Sequence, residues 1–187
     1  MDNGKIIIIN GTSSSGKTSI VHALQNVLED PFLEAGIDKF IFMMPERYLE
    51  RPLWDDVLGL ATKAGSAGQA LVTGMHQAIR ALSLAGVNVI ADHVLVEPAW
   101  TKECADLFAD LPAYLVGVRC PLETLEQRER SRKNRTLGQA RAQFDVIHKY
   151  AVYDLEVDTS LLSPEECAQR IQVRLAEPAQ AFRHMRQ

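Results

Sequence analysis

Two kinds of apolar pattern alternate along the chain. The run KIIIIN over residues 5–10 has no polar face, which is typical of a strand that is covered on both sides. Similar short runs predict strands over residues 87–91, 113–118 and 154–158. Apolar residues spaced three and four apart predict helices over 16–28, 70–85, 98–110, 121–133, 139–150 and 163–175. Because strands alternate with helices, we expect an α/β fold, a parallel β-sheet with helices on both faces.

Two of the predicted helices carry clear end signals. Gly86 follows the helix over residues 70–85, at a position where a left-handed backbone often ends a helix and favours glycine. The sequence Ser163-Pro164-Glu165-Glu166 opens the last predicted helix and is a good capping signal.

Length and composition indicate one ordinary globular domain. The chain has 187 residues, so at roughly 100–200 residues per domain we predict a single domain over residues 1–187. Hydrophobic residues make up 47% and charged residues 24%, a balance that excludes a disordered chain. Cys104, Cys120 and Cys167 are far apart and lack a CxxC pair, which excludes a disulfide scaffold and a zinc ribbon. The net charge of −4 argues against a nucleic-acid partner, because such proteins are usually basic.

No apolar run in the sequence is long enough to cross a membrane. The run from Ile6 to Ile9 is followed at once by polar residues, whereas a spanning helix needs about 20 apolar residues and a signal peptide roughly 7–15. We therefore expect no membrane partner and a cytoplasmic location, which the cysteine usage also suits.

The residues after the first predicted strand match G-x-x-x-x-G-K-[S/T]. They are Gly11, Thr12, Ser13, Ser14, Ser15, Gly16, Lys17 and Thr18. In a phosphate-binding loop the glycines let backbone N–H groups point inward at an anion, beside the positive end of a helix. Lys17 then reaches the β- and γ-phosphates of ATP, and the Thr18 hydroxyl binds Mg²⁺. A glycine- and serine-rich turn with a chance lysine is disfavoured, since a strand precedes the motif and a helix follows it.

The kind of nucleotide enzyme is narrowed by what the sequence lacks. It has no Asn-Lys-x-Asp base-reading motif of guanine-specific GTPases, and it is too short for a large motor. A small kinase of the nucleoside-monophosphate-kinase shape remains.

Asp38 follows the first predicted helix and can face the phosphate-binding loop. A carboxylate there can orient an acceptor hydroxyl and take its proton. The alternative is an N-cap aspartate that opens a short helix over residues 39–44, and position alone favours this alternative.

Asp92 ends the predicted strand over residues 87–91. An acidic residue there resembles the Walker-B arrangement, in which the carboxylate holds Mg²⁺ directly or through water. The alternative is a turn residue that ends the strand. His93 is next to it and is given no role.

Positive charge is concentrated over residues 128–141, with six basic residues and one acid, Glu129. Arg128, Arg132 and Arg135 share one face of a helix because they are four and three residues apart. We interpret the segment as a lid whose arginines stabilise charge on transferred phosphoryl oxygens. A solvated charged helix or an RNA-contacting patch is the alternative, and the lack of interleaved aromatic residues weakens the RNA interpretation.

Several of these segments together resemble the chloramphenicol phosphotransferase family. The similar segments are IIIINGTSSSGKTSIVHALQ, Gly36-Ile37-Asp38 with Met44-Pro45, Ala91-Asp92-His93-Val94, VGVRCPLETLEQRERSRKNR, and Tyr153 to Ser160 followed by Glu166-Cys167-Ala168. The resemblance covers about residues 6–176 in the right order.

The resemblance implies a single-domain P-loop kinase that transfers the γ-phosphate of ATP to a primary hydroxyl and so inactivates the antibiotic. It implies that Asp38 is the catalytic base, and that Lys17 and Thr18 serve the triphosphate and the metal. Arg128, Arg132 and Arg135 fall on basic positions of the family's lid region. An insertion over about residues 45–70, which has the least periodicity of the chain, would form much of the substrate pocket.

The sequence therefore predicts an ATP-dependent O-phosphotransferase whose acceptor is chloramphenicol or a related small-molecule alcohol. One alternative is another kinase of the same fold, of the shikimate, gluconate or nucleoside type. A second alternative is a regulatory protein that hydrolyses ATP slowly as a switch. A homo-oligomer is compatible with the sequence.

Overall fold

The fold is built on a central parallel sheet, which a computed structural model describes together with its helices over residues 2–46, 65–131 and 137–187. The strands are β1 Ile6–Asn10, β2 Phe32–Glu34, β3 Asn88–His93, β4 Ala113–Arg119 and β5 Leu155–Asp158. They lie in the order β2-β3-β1-β4-β5, and every pairing is parallel. The carboxyl ends of the strands therefore meet at one edge of the sheet, where ligands bind in folds of this kind.

Helices cover the sheet on both faces. In the described residues they are α1 Lys17–Val27, α2 Ile37–Phe42, α3 Gly65–Leu84, α4 Pro98–Phe108, α5 Leu122–Ser131, α6 Gln139–Phe144, α7 Pro164–Arg174 and α8 Ala181–Arg186.

Strand β1 divides the core into two halves, because alternate side chains of a strand point to opposite faces. Ile6 and Ile8 pack on the side of α3, α4 and α8, whereas Ile7 and Ile9 pack on the side of α1 and α7. All four isoleucines are completely buried. The predicted α/β fold with helices on both faces is confirmed, and so is the strand that is covered on both sides.

Two predicted boundaries were wrong in ways that affect the site. Strand β3 continues to His93, so Asp92 lies inside the strand and is not a turn residue after it. The helix predicted over residues 139–150 ends with α6 at Phe144. The chain then turns, and the carbonyl of Ile147 accepts a hydrogen bond from the side-chain amide of Asn10 at 2.9 Å instead of continuing a helix.

Two short elements escaped prediction because neither is long enough to show a period. Strand β2 has three residues and lies at the edge of the sheet. Helix α8 lies in the tail and is held by the buried ring of Phe182 and by an ion pair between Arg186 and Asp110. The tail therefore packs on α4 and completes one half of the core.

Some predictions fall outside the described residues. These are residues 47–64 of the predicted insertion, and Lys133 together with the two lid arginines Arg132 and Arg135. The single domain over residues 1–187 also stays a prediction. Within the described ranges, no helix is both long and apolar enough to cross a membrane.

The start of α7 tests one sequence signal. Ser163 accepts a hydrogen bond from the Glu166 N–H, and the Glu166 carboxylate accepts one from the Ser163 N–H, which is a complete capping box. Ser163→Ala should cost about 1 kcal/mol of unfolding free energy, seen as a fall of about 2–4 °C in melting temperature. Ser131→Ala, which removes an exposed hydroxyl that donates to the Arg128 carbonyl and caps no helix N-terminus, is the matched control. Equal melting temperatures for both variants would contradict the role of the cap.

Candidate active site

The motif residues form a loop between the end of β1 and the start of α1. Gly16 is the N-cap residue of α1 and has a φ of 92°, a left-handed conformation that a side chain disfavours. Ser14 also has a positive φ, 64°. In the described part of the chain, the buried hydroxyls of Ser13, Ser14 and Ser15 have no hydrogen-bond partner. These buried polar groups beside a helix N-terminus fit an anionic ligand such as a phosphate group.

Lys17 curls back over this loop. Its ammonium group donates hydrogen bonds to the carbonyl oxygens of Gly11 and Thr12, both at 2.8 Å. The side chain is buried, so its positive charge lies inside the loop and not in solvent. A cation held there complements the charge of a phosphate group.

Asp92 meets the loop from β3. The hydroxyl of Thr18 donates a hydrogen bond to Asp92 Oδ2 at 3.2 Å. Gly36 makes room for the carboxylate, because a Cβ atom at Gly36 would lie only 1.6 Å from Asp92 Oδ1. Burial raises the pKa of Asp92; the Lys17 charge opposes this shift and the Asp38 charge adds to it. Two oxygen groups of the kind that Mg²⁺ prefers are thus adjacent.

Asp38 lies in the first turn of α2, and Gly36 is the N-cap residue of that helix. The alternative interpretation, an N-cap aspartate before a helix over residues 39–44, is therefore wrong, because the helix begins before Asp38. Asp38 lines the same cavity as Lys17, Thr18 and Asp92. The structure brings together the acid proposed as the base, the loop cation and both proposed metal ligands.

Arg128 reaches the phosphate-binding loop through Thr159. Its guanidinium group donates to the hydroxyl and the carbonyl of Thr159 at 3.0 and 2.8 Å. The Thr159 hydroxyl donates in turn to the carbonyl of Ser15 at 2.8 Å. Arg128 also lines a groove beside Ser14 and the start of α1. Arg128 therefore joins α5 to the loop region, and its charge does not lie on a solvated surface.

Glu129 and Gln143 are two site residues that sequence reasoning missed. The buried Glu129 carboxylate accepts hydrogen bonds from the N–H groups of Gly138 and Ala140 at 2.7 and 3.0 Å, joining the end of α5 to the start of α6. Its position as the one acid in a basic segment was a usable signal. Gln143 accepts a hydrogen bond from the Ser13 N–H at 2.6 Å, and no signal in the sequence marked it.

Asn10, the last residue of β1, joins several segments behind the loop. Its amide nitrogen donates to the Tyr153 hydroxyl at 2.8 Å, and its amide oxygen accepts from the Leu95 N–H at 2.8 Å. The Tyr153 oxygen lies 2.6 Å from His148 Nδ1. Since that oxygen accepts from Asn10, its own hydrogen is free to be donated to a neutral His148. Burial lowers the pKa of His148 to about 4, with Arg119 adding to the shift, which agrees with a neutral ring at pH 7.

Several solved structures with folds similar to that of this chain are kinases. A sugar kinase from Janibacter sp. HTCC2649 matches with a TM-score of 0.66 at 17% identity, covering 92% of this chain and 95% of that one. The APS kinase CysC of Mycobacterium tuberculosis matches with a TM-score of 0.66 at 16% identity, covering 95% and 100%. Shikimate kinase from Acinetobacter baumannii matches with a TM-score of 0.62 at 18% identity, covering 92% of this chain and 94% of that one. At these identities the likeness defines the fold class, a P-loop kinase fold.

Sequence comparison defines the family. The model of the chloramphenicol phosphotransferase-like proteins matches residues 4–176, and the chain belongs to this family. A protein of Mycobacterium tuberculosis with the name "Putative O-phosphotransferase" is 34% identical over 184 residues, which cover 91% of this chain and 82% of the relative. The resemblance read from the sequence is confirmed, and the protein is a phosphotransferase of the kinase fold.

The close approach of Gly36 to Asp92 can be tested by stability. Gly36→Ala should cost about 1–3 kcal/mol of unfolding free energy, the usual range for overpacking, because its methyl group overlaps the Asp92 carboxylate. Gly74→Ala is the control: among the described residues, no atom beyond the adjoining backbone of its own helix lies within 4 Å of the added Cβ. Alanine in the interior of a helix should stabilise by about 0.5–1 kcal/mol. Chemical denaturation measures both. Opposite signs are expected, and a Gly36→Ala protein as stable as wild type would show that the carboxylate is not confined.

The raised pKa of Asp92 predicts that its charge destabilises the folded protein. Below the ordinary carboxyl pKa of 3.8 the group is protonated in both states. As the pH rises through the raised folded value, the stability contributed by the protonated form is lost. Asp92→Asn should therefore raise the melting temperature at pH 7, and the gain should vanish near pH 3.

Asp110 provides the control of opposite sign. The hydrogen bond from Arg186 lowers the pKa of this exposed carboxyl, so Asp110→Asn should not stabilise the protein at pH 7. The melting temperatures of both variants are measured across this pH range. An Asp92→Asn protein that melts below wild type at neutral pH would contradict the argument that burial destabilises the charged carboxylate.

Proposed function

We propose that this protein transfers the γ-phosphate of ATP to a hydroxyl group of a small molecule, with chloramphenicol or a related antibiotic-like alcohol as the acceptor. The observation that carries the proposal is the shared cavity: Asp38 from α2 lines it together with Lys17 and Thr18 of the loop and Asp92 of β3. A base for an acceptor and groups for a nucleotide thus face the same space.

Asp38 acts on the acceptor. An alcohol has a pKa far above 7, so it needs a group that orients its hydrogen and receives it as the oxygen attacks phosphorus. Asp38 lies in the first turn of α2 and lines the cavity. In the transfer, the acceptor oxygen forms its bond to the γ-phosphorus, the bond from that phosphorus to the bridging oxygen breaks, and ADP leaves.

The loop binds the transferred group. Backbone N–H groups and Lys17 stabilise the charge that spreads over the phosphoryl oxygens. Arg128 is positioned beside the loop by Thr159, where its charge adds to that of Lys17. Arg132 and Arg135 complete the proposed lid over residues 128–141, with Arg132 binding the nucleotide and Arg135 acting on the transition state.

Thr18 and Asp92 would hold Mg²⁺. Their oxygen atoms, 3.2 Å apart, match the oxygen ligands that this ion prefers and fit its binding with one or two protein groups. When bound, the ion neutralises negative charge on the phosphates. Asp92 must be ionised for this role, and Lys17 favours the ionised form.

Family membership supports an O-phosphotransferase and favours chloramphenicol as the first acceptor to test. The fold is shared with sugar, gluconate and shikimate kinases, so these acceptors form the alternatives. The net charge of −4 supports a small-molecule partner over a nucleic acid.

An acceptor screen tests the function. The purified chain is incubated with γ-labelled ATP and Mg²⁺ against chloramphenicol, shikimate, gluconate and a nucleoside, with Lys17→Ala as the inactive control. We expect label on chloramphenicol in the wild type alone. Label on shikimate, gluconate or the nucleoside would instead identify that compound as the acceptor in place of chloramphenicol. Tight ATP binding without any labelled alcohol would favour the slow nucleotide switch.

Asp38→Asn tests the base. Removal of the carboxylate should lower acceptor phosphorylation by about 10²–10⁴-fold, the usual contribution of a general base. ATP affinity should hardly change, because Asp38 faces the acceptor. Calorimetry of ATP binding and labelled transfer are measured on the same preparation.

Glu34→Gln is the matched control for Asp38→Asn. Glu34 is a nearby acid that pairs with Lys39 at 3.0 Å and does not line the cavity. It should retain transfer. If Asp38→Asn lost ATP binding along with transfer, Asp38 would belong to the nucleotide or metal site instead.

A further inference from the structure

A buried cluster of nitrogen and sulfur ligands lies on the far side of β3 from the phosphate-binding loop's helix α1. His76 comes from α3, His93 is the last residue of β3, and Cys104 comes from α4; all three are completely buried. One ligand atom from each lies within 4.8 Å of the others. His76 Nε2 is 2.7 Å from His93 Nε2 and 3.4 Å from Cys104 Sγ.

Glu103 fixes the orientation of the central ring. Its Oε2 lies 2.6 Å from His76 Nδ1 and also accepts a hydrogen bond from the Thr73 hydroxyl at 3.3 Å. A carboxylate there keeps the hydrogen of His76 on Nδ1, which leaves Nε2 with its lone pair toward His93 and Cys104. A histidine held in this way by a carboxylate is the usual arrangement at protein metal sites.

We propose that His76 Nε2, His93 Nε2 and Cys104 Sγ bind a divalent transition-metal ion of the zinc class. Two imidazole nitrogens and a thiolate suit Zn²⁺, whereas Mg²⁺ prefers oxygen. The site is distinct from the oxygen pair of Thr18 and Asp92. Three protein ligands leave the fourth position of a tetrahedral ion open to a further ligand.

Metal binding requires that two hydrogens of this cluster change their positions. The Val94 N–H donates to His93 Nδ1 at 2.7 Å, so a neutral His93 carries its hydrogen on Nε2 and donates it to His76. For both Nε2 atoms to bind a metal, that hydrogen must move to Nδ1, and the Cys104 thiol must release its proton to solvent. One proton therefore leaves for each ion that binds, and Val94 loses its acceptor.

Metal binding must offset the cost of rearranging this cluster. Metal–nitrogen bonds of about 2.0–2.1 Å in a tetrahedral site place two nitrogens roughly 3.3 Å apart, so the rings need to separate by roughly 0.6 Å. The cost is two hydrogen bonds, this small shift, a His93 Nδ1–H that faces the Val94 N–H, and the deprotonation of Cys104, because burial raises the pKa of its thiol. A zinc ion bound by a folded site contributes several times the free energy of two hydrogen bonds. Burial also lowers the pKa of His76 and His93, which keeps both rings in the neutral form that binds metals.

Cobalt provides a test that reads the ligands directly. The full chain, kept in excess Mg²⁺ so that the oxygen site is saturated, is titrated with Co²⁺. We expect one equivalent to bind with the near-ultraviolet thiolate-to-cobalt absorption and the strong visible bands of a tetrahedral ion, and Zn²⁺ should displace it. Metal analysis after gel filtration should then find one zinc per chain.

Matched variants assign the sulfur ligand. Cys104→Ala should abolish the thiolate absorption and weaken binding by at least about 100-fold, whereas Cys167→Ala, which changes an equally buried cysteine in the other half of the core, should leave both unchanged. Glu103→Gln should weaken binding by about 10–100-fold, the usual effect of losing a carboxylate behind a metal-bound histidine.

Two results would overturn the proposal. One is wild-type protein that binds Co²⁺ only with the weak absorption of an oxygen site, or does not bind it at all. This result excludes the metal site without any variant, so it holds even if a variant fails to fold. The other is a Cys104→Ala protein that retains the metal as tightly as wild type. Neither result bears on the phosphotransferase function, which uses different residues and is assayed by transfer.

Discussion

The parallel pairing of β1 with both β3 and β4 is the constraint on which the site depends. The register aligns Asn10 with His93 on one side and with Gly117 on the other. Because all three strands run in one direction, the phosphate-binding loop, Asp92 and the turn before α5 emerge at the same edge of the sheet. A slip of one residue between β1 and β3 would turn Asp92 to the other face of the sheet and separate it from Thr18. The isoleucines of β1 hold this register, since each is buried in one half of the core or the other.

The charges at that edge interact at close range, away from solvent. Asp92 is buried beside a second carboxylate, Asp38, and beside the Lys17 ammonium group. The fold brings these charges together because Gly36, which precedes α2, lets the backbone pass directly over the Asp92 side chain. The same glycine lies at the end of the short segment that follows β2, and it is the N-cap residue of α2, the helix that carries Asp38. One small residue thus determines the positions of two acids.

The sequence predicted the parts of this arrangement that depend on local pattern. Buried strands, the loop motif and the α7 cap depend on neighbouring residues, and the family resemblance was also visible in the sequence. What escaped prediction depends on distant contacts. Strand β2 exists because it pairs with β3, and α8 because Phe182 fills the core. Glu129 and Gln143 act on backbone groups that come near them only in the folded chain. The roles of Arg132, Arg135 and the insertion stay predictions, and so does the acceptor.

Ser14 shows that the four variable positions of the loop motif are not equivalent. Its φ of 64° lies in the left-handed region, where glycine or asparagine fits readily and a β-branched side chain is a severe outlier. Its neighbour Ser13 contributes a backbone N–H that Gln143 accepts, a contact that every residue except proline can make. A library of substitutions across the motif should therefore tolerate threonine or valine at position 13 far better than at position 14. The tolerance of each position follows from backbone shape, which a consensus pattern does not record.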